Sequence, residues 1–133
     1  MKNKKNKVLG LASAFMLLSA FLFSFPVSAG SVTSPSKIKG SYATGSTTYY
    51  STFVTATTSH IENNAKTVTV KGYCNVYGNV GYYGQASNGD YSPNYVTVNL
   101  DIVGYPACGS IGIHSVNGSS WVGYSYSGLY LQP

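Results

Sequence analysis

One segment, residues 95–103, restricts the fold more than any other because its apolar and polar residues alternate strictly. One face carries the aliphatic side chains Val96, Val98, Leu100 and Ile102. The other face carries Tyr95, Thr97, Asn99 and Asp101. A period of two is that of a β-strand with one buried and one solvated face. We therefore expect a strand here, with its four aliphatic side chains in the core.

The amino-acid composition extends this prediction to the rest of the domain. All 13 tyrosines follow residue 40, glycine is abundant, and only 8% of residues are charged. Tyrosine, threonine and valine suit strands, while glycine and asparagine supply turns. About seven short strands at these spacings predict an all-β fold. We expect a small antiparallel β-sandwich, Ig-like in general shape, with a compact β-barrel as the alternative.

The last hairpin can be drawn residue by residue around Asn117-Gly118. Both positions tolerate positive φ, so the dipeptide favours a two-residue type I′ turn. This turn pairs His114 with Trp121 and places them together on one face, predicted to be the outer one. The face predicted to be buried carries Ile111, Ile113, Val122 and Tyr124. A second turn is predicted over Ser87–Asp90.

The N-terminal segment has the organisation of a secretory signal peptide. Four lysines within the first seven residues precede an apolar run over residues 8–25, and small residues follow at 27–29. We expect a Gram-positive bacterial export signal that is cleaved after Ala29. The product would be secreted, with no stable membrane anchor. The predicted organisation is a signal peptide over 1–29, a flexible leader over 30–37 and a single β-domain over 38–133.

Cleavage of the signal would also remove most of the positive charge. Four of the eight lysines leave with it, and four remain against the three acidic residues of the chain, which gives a net charge of +1. The remaining chain contains no arginine. Binding to nucleic acid needs a basic surface that neutralises phosphates, so we expect none.

Two cysteines, Cys74 and Cys108, lie in the predicted domain. An even number of cysteines in an exported protein favours a disulfide. The alternative is a pair of free buried thiols, because the geometry between the two side chains decides whether they can bond.

Groups able to perform catalysis or to bind a metal are few. The titratable candidates are His60, His114, Glu62, Asp90 and Asp101. No two carboxylates share a local motif of the kind a glycosidase uses. His60-Ile61-Glu62 would place two ligands on one strand face, which is too few to hold zinc. The prediction is a protein that is not an enzyme and has no cofactor or metal.

Aromatic side chains are the remaining candidates for a function. Tyrosine offers a flat apolar ring and a hydroxyl at low entropic cost, which suits contact with sugars or proteins. One predicted patch carries His114, Trp121 and Tyr126. A second, around Asn88, carries Tyr82, Tyr83 and Tyr91. The alternative is that the tyrosines only fill a small core and follow β-propensity.

Together these features predict a small secreted, non-catalytic β-domain that binds a glycan, the cell wall or another extracellular protein. A bacteriocin-like antimicrobial protein is the alternative. Since few charges protect the strand edges, self-association is a further expectation.

Overall fold

A computed structural model describes residues 28–92 and 94–126 of the protein. The strands are β1 (Ser28–Ile38), β2 (Ser41–Tyr49), β3 (Phe53–Ser59), β4 (Asn64–Val76), β5 (Asn79–Ser92), β6 (Tyr95–Asp101), β7 (Ala107–Val116) and β8 (Ser119–Tyr126). Helices are absent from these described residues, and a helix long and apolar enough to cross a membrane is therefore not found among them. The all-β prediction is confirmed. Most of the predicted signal peptide and the last seven residues lie outside the described part of the chain.

The strands form two antiparallel sheets packed face to face. Sheet A has the order β1-β2-β3-β6, and sheet B has the order β5-β4-β7-β8. Across the interface β1 contacts β8, β2 contacts β7, β3 contacts β4, and β6 contacts β5. The architecture is therefore the predicted β-sandwich and not the compact barrel.

The main core lies between the sheets. Its buried members are Tyr49, Val54, Ala56, Val68, Val70, Cys74, Val96, Val98, Ile102 and Ala107. The alternation over residues 95–103 is thus confirmed, with Leu100 partly buried against the same cluster. Each fully buried aliphatic side chain contributes about 1.5–3 kcal/mol before the loss of conformational entropy is counted.

Three hairpins use two-residue turns in which both residues have positive φ. The predicted turn at Asn117-Gly118 is confirmed, with φ values of 50° and 82°. Lys39-Gly40 joins β1 to β2, and Tyr77-Gly78 joins β4 to β5, with similar angles. In each turn glycine occupies the second position, where it adopts positive φ at no steric cost. The sequence did not predict these two turns, because lysine and tyrosine occupy the first turn position, where asparagine is usual.

The predicted turn at Ser87–Asp90 is wrong, because β5 passes through this segment without interruption. Asn88 pairs with Val68 of β4, and its side-chain amide donates a hydrogen bond of 2.9 Å to the carbonyl of Thr97 on β6. Pairing along the length of β4 therefore outweighs the local preference of Asn-Gly for a turn. The amide also joins the adjacent edges of the two sheets.

The predicted flexible leader over residues 30–37 is also wrong, since these residues form most of β1. They pair with β2. The pairing register shifts between Thr33 and Lys37, in the segment that contains Pro35. Proline cannot donate to a ladder and is tolerated at such irregularities. Within the irregular segment the hydroxyl of Ser34 accepts a hydrogen bond of 3.0 Å from the amide of Ala43.

Gly30 of β1 packs against the backbone of β8. A Cβ atom at this position would overlap the backbone oxygen of Tyr124. We expect Gly30→Ala to lower the free energy of unfolding by about 1–3 kcal/mol, the usual range for overpacking. Urea denaturation of a chain beginning at Ser28 measures this effect while residues 28 and 29 hold the strand in register. Gly84→Ala on β5 is the control, because a Cβ there meets no atom within 4 Å. Equal effects of the two substitutions would contradict the prediction.

Candidate binding surfaces

The first predicted patch lies largely in the interior of the protein. His114 and Trp121 do pair, as predicted, but their exposed fractions are 0% and 7%. Val122 and Tyr124, which were predicted to be buried, are exposed instead. The register of the hairpin is therefore correct and its orientation is inverted. Tyr126 ends β8 opposite Gly109, and its side chain lies outside the described part of the structure.

His114 occupies a polar site between the sheets. The hydroxyl of Thr58 donates to the carbonyl of Thr67, so it accepts the hydrogen bond of 2.9 Å from Nδ1 of His114. Nε2 lies 3.5 Å from the hydroxyl of Thr47, which can donate to it. These contacts define a neutral imidazole protonated at Nδ1. Burial lowers the pKa of His114 to about 4.

Glycines on both sheets make room for the imidazole ring. A Cβ atom at Gly45 of β2 or at Gly112 of β7 would overlap side-chain atoms around His114. Trp121 stacks beside the ring, with centroids 5.7 Å apart and planes inclined by 28°. His114 and Trp121 therefore have a structural role and cannot form the predicted surface patch.

The tyrosines of the second predicted patch are all exposed, but they do not form one site. Tyr82 and Tyr91 are separated by about 30 Å of strand at the usual rise per residue. Tyr82 contacts Tyr73 edge to face at 5.7 Å. The hydroxyl of Tyr83 accepts a hydrogen bond of 3.1 Å from the amide of Val103. Tyr83 is the extra residue at a shift in the β4–β5 register, between the Gly72–Gly84 and Tyr73–Tyr82 pairs.

The predicted disulfide is not present in the structure, in which both cysteines are buried and free. Cys74 packs in the core between the sheets, whereas Cys108 packs with Tyr73 and Ile111 of sheet B. The two thiols thus lie in different apolar clusters, although disulfide geometry requires the Cβ atoms to face each other. Burial raises the pKa of Cys108, and Cys74 adds to this shift, so the thiol is a poor nucleophile.

The outer face of sheet B carries the hairpin residues that were predicted to be buried, together with tyrosines of β4 and β5. Ile111 and Tyr73 are buried there, and exposed Tyr82, Val122 and Tyr124 adjoin them. Burial raises the pKa of Tyr73, and Tyr82 and Tyr124 raise it further. The part of this face around Ile111 and Tyr73 is apolar and aromatic.

The outer face of sheet A carries a different kind of surface, an open groove with a volume of about 270 Å³. Its lining residues are Tyr42, Thr44, Ser59, His60, Ile61, Asn94 and Tyr95. Thr44 pairs with Ser59, and Ser59 pairs with Tyr95, so β2, β3 and β6 form its base. Tyr42 is 54% exposed and Tyr95 is 63% exposed. We call this surface the sheet A groove.

His60 belongs to the groove lining, but both of its ring nitrogens are already hydrogen-bonded. Nε2 donates to the carbonyl of Ile38 at 2.9 Å, and Nδ1 accepts from the side-chain amide of Asn64 at 2.8 Å. Glu62 is exposed beside it. Among the described residues, no three His, Cys, Asp or Glu side chains are grouped as metal ligands. His60 therefore fixes the loop below the groove.

Lys66 completes this buried network, and the sequence analysis did not identify it. Its side chain is fully buried, and its ammonium donates to the side-chain oxygen of Asn64 at 2.6 Å. It also donates to the carbonyls of Glu62 and Ser92. Burial lowers the pKa of Lys66, and Asp90 opposes the shift. The lysine links the β3–β4 loop to the end of β5.

Comparison with protein families, with curated proteins and with solved structures finds no match to this chain. The groove therefore has to be interpreted from its own residues. Tyr42 was not singled out by the sequence analysis, and Tyr95 was placed only on the polar face of its strand. Pairing of β3 with β6 brings them to one site, and no local pattern in the sequence contains that pairing.

Proposed function

We propose that the protein is a small secreted, non-catalytic β-domain that binds a neutral glycan at the sheet A groove. The observation that carries this proposal is the position of two exposed tyrosines, Tyr42 and Tyr95, at one groove whose base bears hydroxyl groups. A pyranose ring has apolar C–H faces and a polar rim. Tyrosine rings suit the faces, and hydroxyl and amide groups suit the rim.

The polar groups of the groove favour a neutral ligand. Thr44 and Ser59 supply hydroxyls, Asn94 supplies an amide, and the seven lining residues include no carboxylate, lysine or arginine. The nearby Lys37 is not one of these lining residues. Its ammonium lies over the ring of Tyr42, 5.7 Å from the ring centroid. The volume is slightly below the range of about 300–1,000 Å³ that is typical of small-molecule sites. One or two sugar rings are a suitable size.

The side chains of the groove are suited to binding rather than to hydrolysis. Glycosidases place a pair of carboxyl groups across the bond that they cleave. The described groove offers aromatic, hydroxyl and amide groups, and its histidine is held by Ile38 and Asn64. These groups can orient a sugar without transferring a proton to it.

The position of β1 is compatible with the proposed export and cleavage. Cleavage after Ala29 would remove only the pairs of Ser28 with Tyr49 and of Ala29 with Thr48. The β1–β2 ladder from Gly30 onward would remain. Residues 30–133 would then retain the strands that form the groove.

Co-sedimentation with insoluble polysaccharides tests the binding site. We expect the protein to pellet saturably with Gram-positive cell walls or with chitin. Tyr42→Ala and Tyr95→Ala should each weaken this binding by about tenfold, the equivalent of about 1.4 kcal/mol. The reason is that each substitution removes one stacking surface from the groove.

Tyr77→Ala is the matched control because Tyr77 is 91% exposed and lies in the β4–β5 turn. It should bind like the parent protein. Equal loss of binding in all three variants would contradict the assignment of the groove. Retention of the protein in the supernatant with every polysaccharide would contradict glycan binding and favour a protein partner. The bacteriocin-like alternative predicts killing of related bacteria at micromolar concentrations, measured as loss of viability.

A further inference from the structure

The outer face of sheet A continues well beyond the groove. At its opposite end Tyr50 and Phe53 stack, with ring centroids 4.2 Å apart and planes inclined by 12°. Phe53 pairs with Asp101, on the same side of β3 as Ser59. At the usual rise, Ser59 and Phe53 are separated by about 20 Å of strand. The face therefore has aromatic groups at both ends, about 20 Å apart along the strands.

Rows of small polar side chains occupy the space between these two ends. One row across the sheet consists of Ser46, Thr57 and Thr97. The next consists of Thr48, Thr55 and Asn99. Neighbouring strands lie about 4.8 Å apart, so these groups form a regular polar surface.

Hydrogen bonds within the sheet fix the direction of several of these hydroxyls. The hydroxyls of Thr57 and Thr97 bond to each other at 2.8 Å, which leaves the pair one hydrogen to donate and several lone pairs to accept. The hydroxyl of Thr55 donates to the carbonyl of Val98 at 3.1 Å and retains lone pairs that can accept. A ligand with many hydroxyl groups would meet oriented partners here at little further entropic cost.

We propose that the whole outer face of sheet A binds an extended, unbranched, neutral polysaccharide whose chain runs parallel to β2, β3 and β6. One sugar occupies the sheet A groove, another stacks on the aromatic pair at Phe53, and the intervening units contact the threonine rows. The inference rests on the proposed function, because the groove is one end of this longer site. It adds that the ligand is a polymer and that affinity depends on its length.

The length of the ligand gives the test. The probes are β-1,4-linked N-acetylglucosamine oligomers of increasing length, from the dimer to the hexamer, titrated into the protein by calorimetry. We expect the hexamer to bind at least tenfold more tightly than the dimer, because the hexamer is long enough to reach both aromatic ends and the dimer is not.

Phe53→Ala should remove the advantage of the hexamer while leaving the affinity for the dimer unchanged. Tyr42→Ala should weaken both ligands, and Tyr124→Ala on sheet B should weaken neither. Since Phe53 is partly buried, Thr57→Lys provides a second variant that blocks the middle of the face without removing an aromatic ring. It should also abolish the dependence on length.

Equal affinity of the parent protein for dimer and hexamer, with both weakened by Tyr42→Ala, would overturn the extended site and leave the groove in place. Absence of binding to every oligomer and to the insoluble polysaccharides would overturn the proposed function as well. A length dependence that persists in both Phe53→Ala and Thr57→Lys would overturn the path along this face.

Discussion

Acidification from pH 7 to pH 4 should lower the free energy of unfolding by about 3 kcal/mol through His114 alone. The unfolded chain protonates this histidine near its ordinary pKa of 6.5, whereas burial holds the pKa in the folded protein at about 4. Between these two values the unfolded state binds more protons than the folded state. Stability therefore falls as the pH decreases through this window, and each unit of difference in pKa corresponds to about 1.4 kcal/mol.

His114→Gln separates this effect from the titration of other groups. Glutamine keeps hydrogen-bonding capacity toward Thr58 and Thr47 and remains neutral at every pH. The variant should be less stable than the parent protein at pH 7, and it should lose less stability on acidification. Urea denaturation at a series of pH values between 7 and 4 measures both curves. Parallel curves for the two proteins would contradict the assignment to His114.

The same residue shows why the sequence predicts the register of the last hairpin but not its orientation. The turn at Asn117-Gly118 fixes which residues are opposite each other, and this information is local. The choice of the buried face depends on what lies across the sandwich. Gly45 of β2 leaves space for the imidazole, and Thr58 of β3 satisfies its Nδ1. A rule that places aliphatic residues inside therefore selects the wrong face.

Local sequence preference and strand pairing also disagree in other segments. The strand predicted from the alternation over residues 95–103 is confirmed, because its aliphatic face is also the face that packs between the sheets. Asn88-Gly89 favours a turn locally, but β4 supplies a pairing partner along the whole segment. Residues 30–37 have the composition of a leader, yet pairing with β2 makes them a strand. In both segments the deciding contact is with the neighbouring strand of a hairpin, whose turn at Lys39-Gly40 or Tyr77-Gly78 lacks the usual asparagine.

The candidate site was predictable only as a chemical class. An excess of tyrosine on a nearly uncharged β-domain indicates aromatic binding surfaces, and this remains a prediction. The positions depend on topology, because β6 follows β5 in the chain but pairs with β3 in the other sheet. That crossover places Tyr95 in the groove with Tyr42. Tyr82 and Tyr91 are far apart because β5 runs between them without the predicted turn.

Replacement of Lys66 by alanine should have the largest effect on stability at any single polar position discussed above. The ammonium is buried and donates to oxygens of Asn64, Glu62 and Ser92. Lys66→Ala would leave these acceptors without their donor and would open a cavity. We expect the free energy of unfolding to fall by about 3–5 kcal/mol, because each buried acceptor left without a donor costs about 1–3 kcal/mol and the cavity adds to this loss.

Lys71 offers a matched control because it lies on the same strand and points to the outer face of sheet B. Lys71→Ala should change the free energy of unfolding by less than about 1 kcal/mol, as is usual for residues near the surface.

Lys66→Met retains most of the side-chain volume and removes the three donors. If loss of hydrogen bonds dominates, methionine should destabilise the protein nearly as much as alanine does. If filling the cavity dominates, methionine should restore most of the stability. Equal effects of Lys66→Ala and Lys71→Ala would show that the buried network does not stabilise the loop beneath the groove.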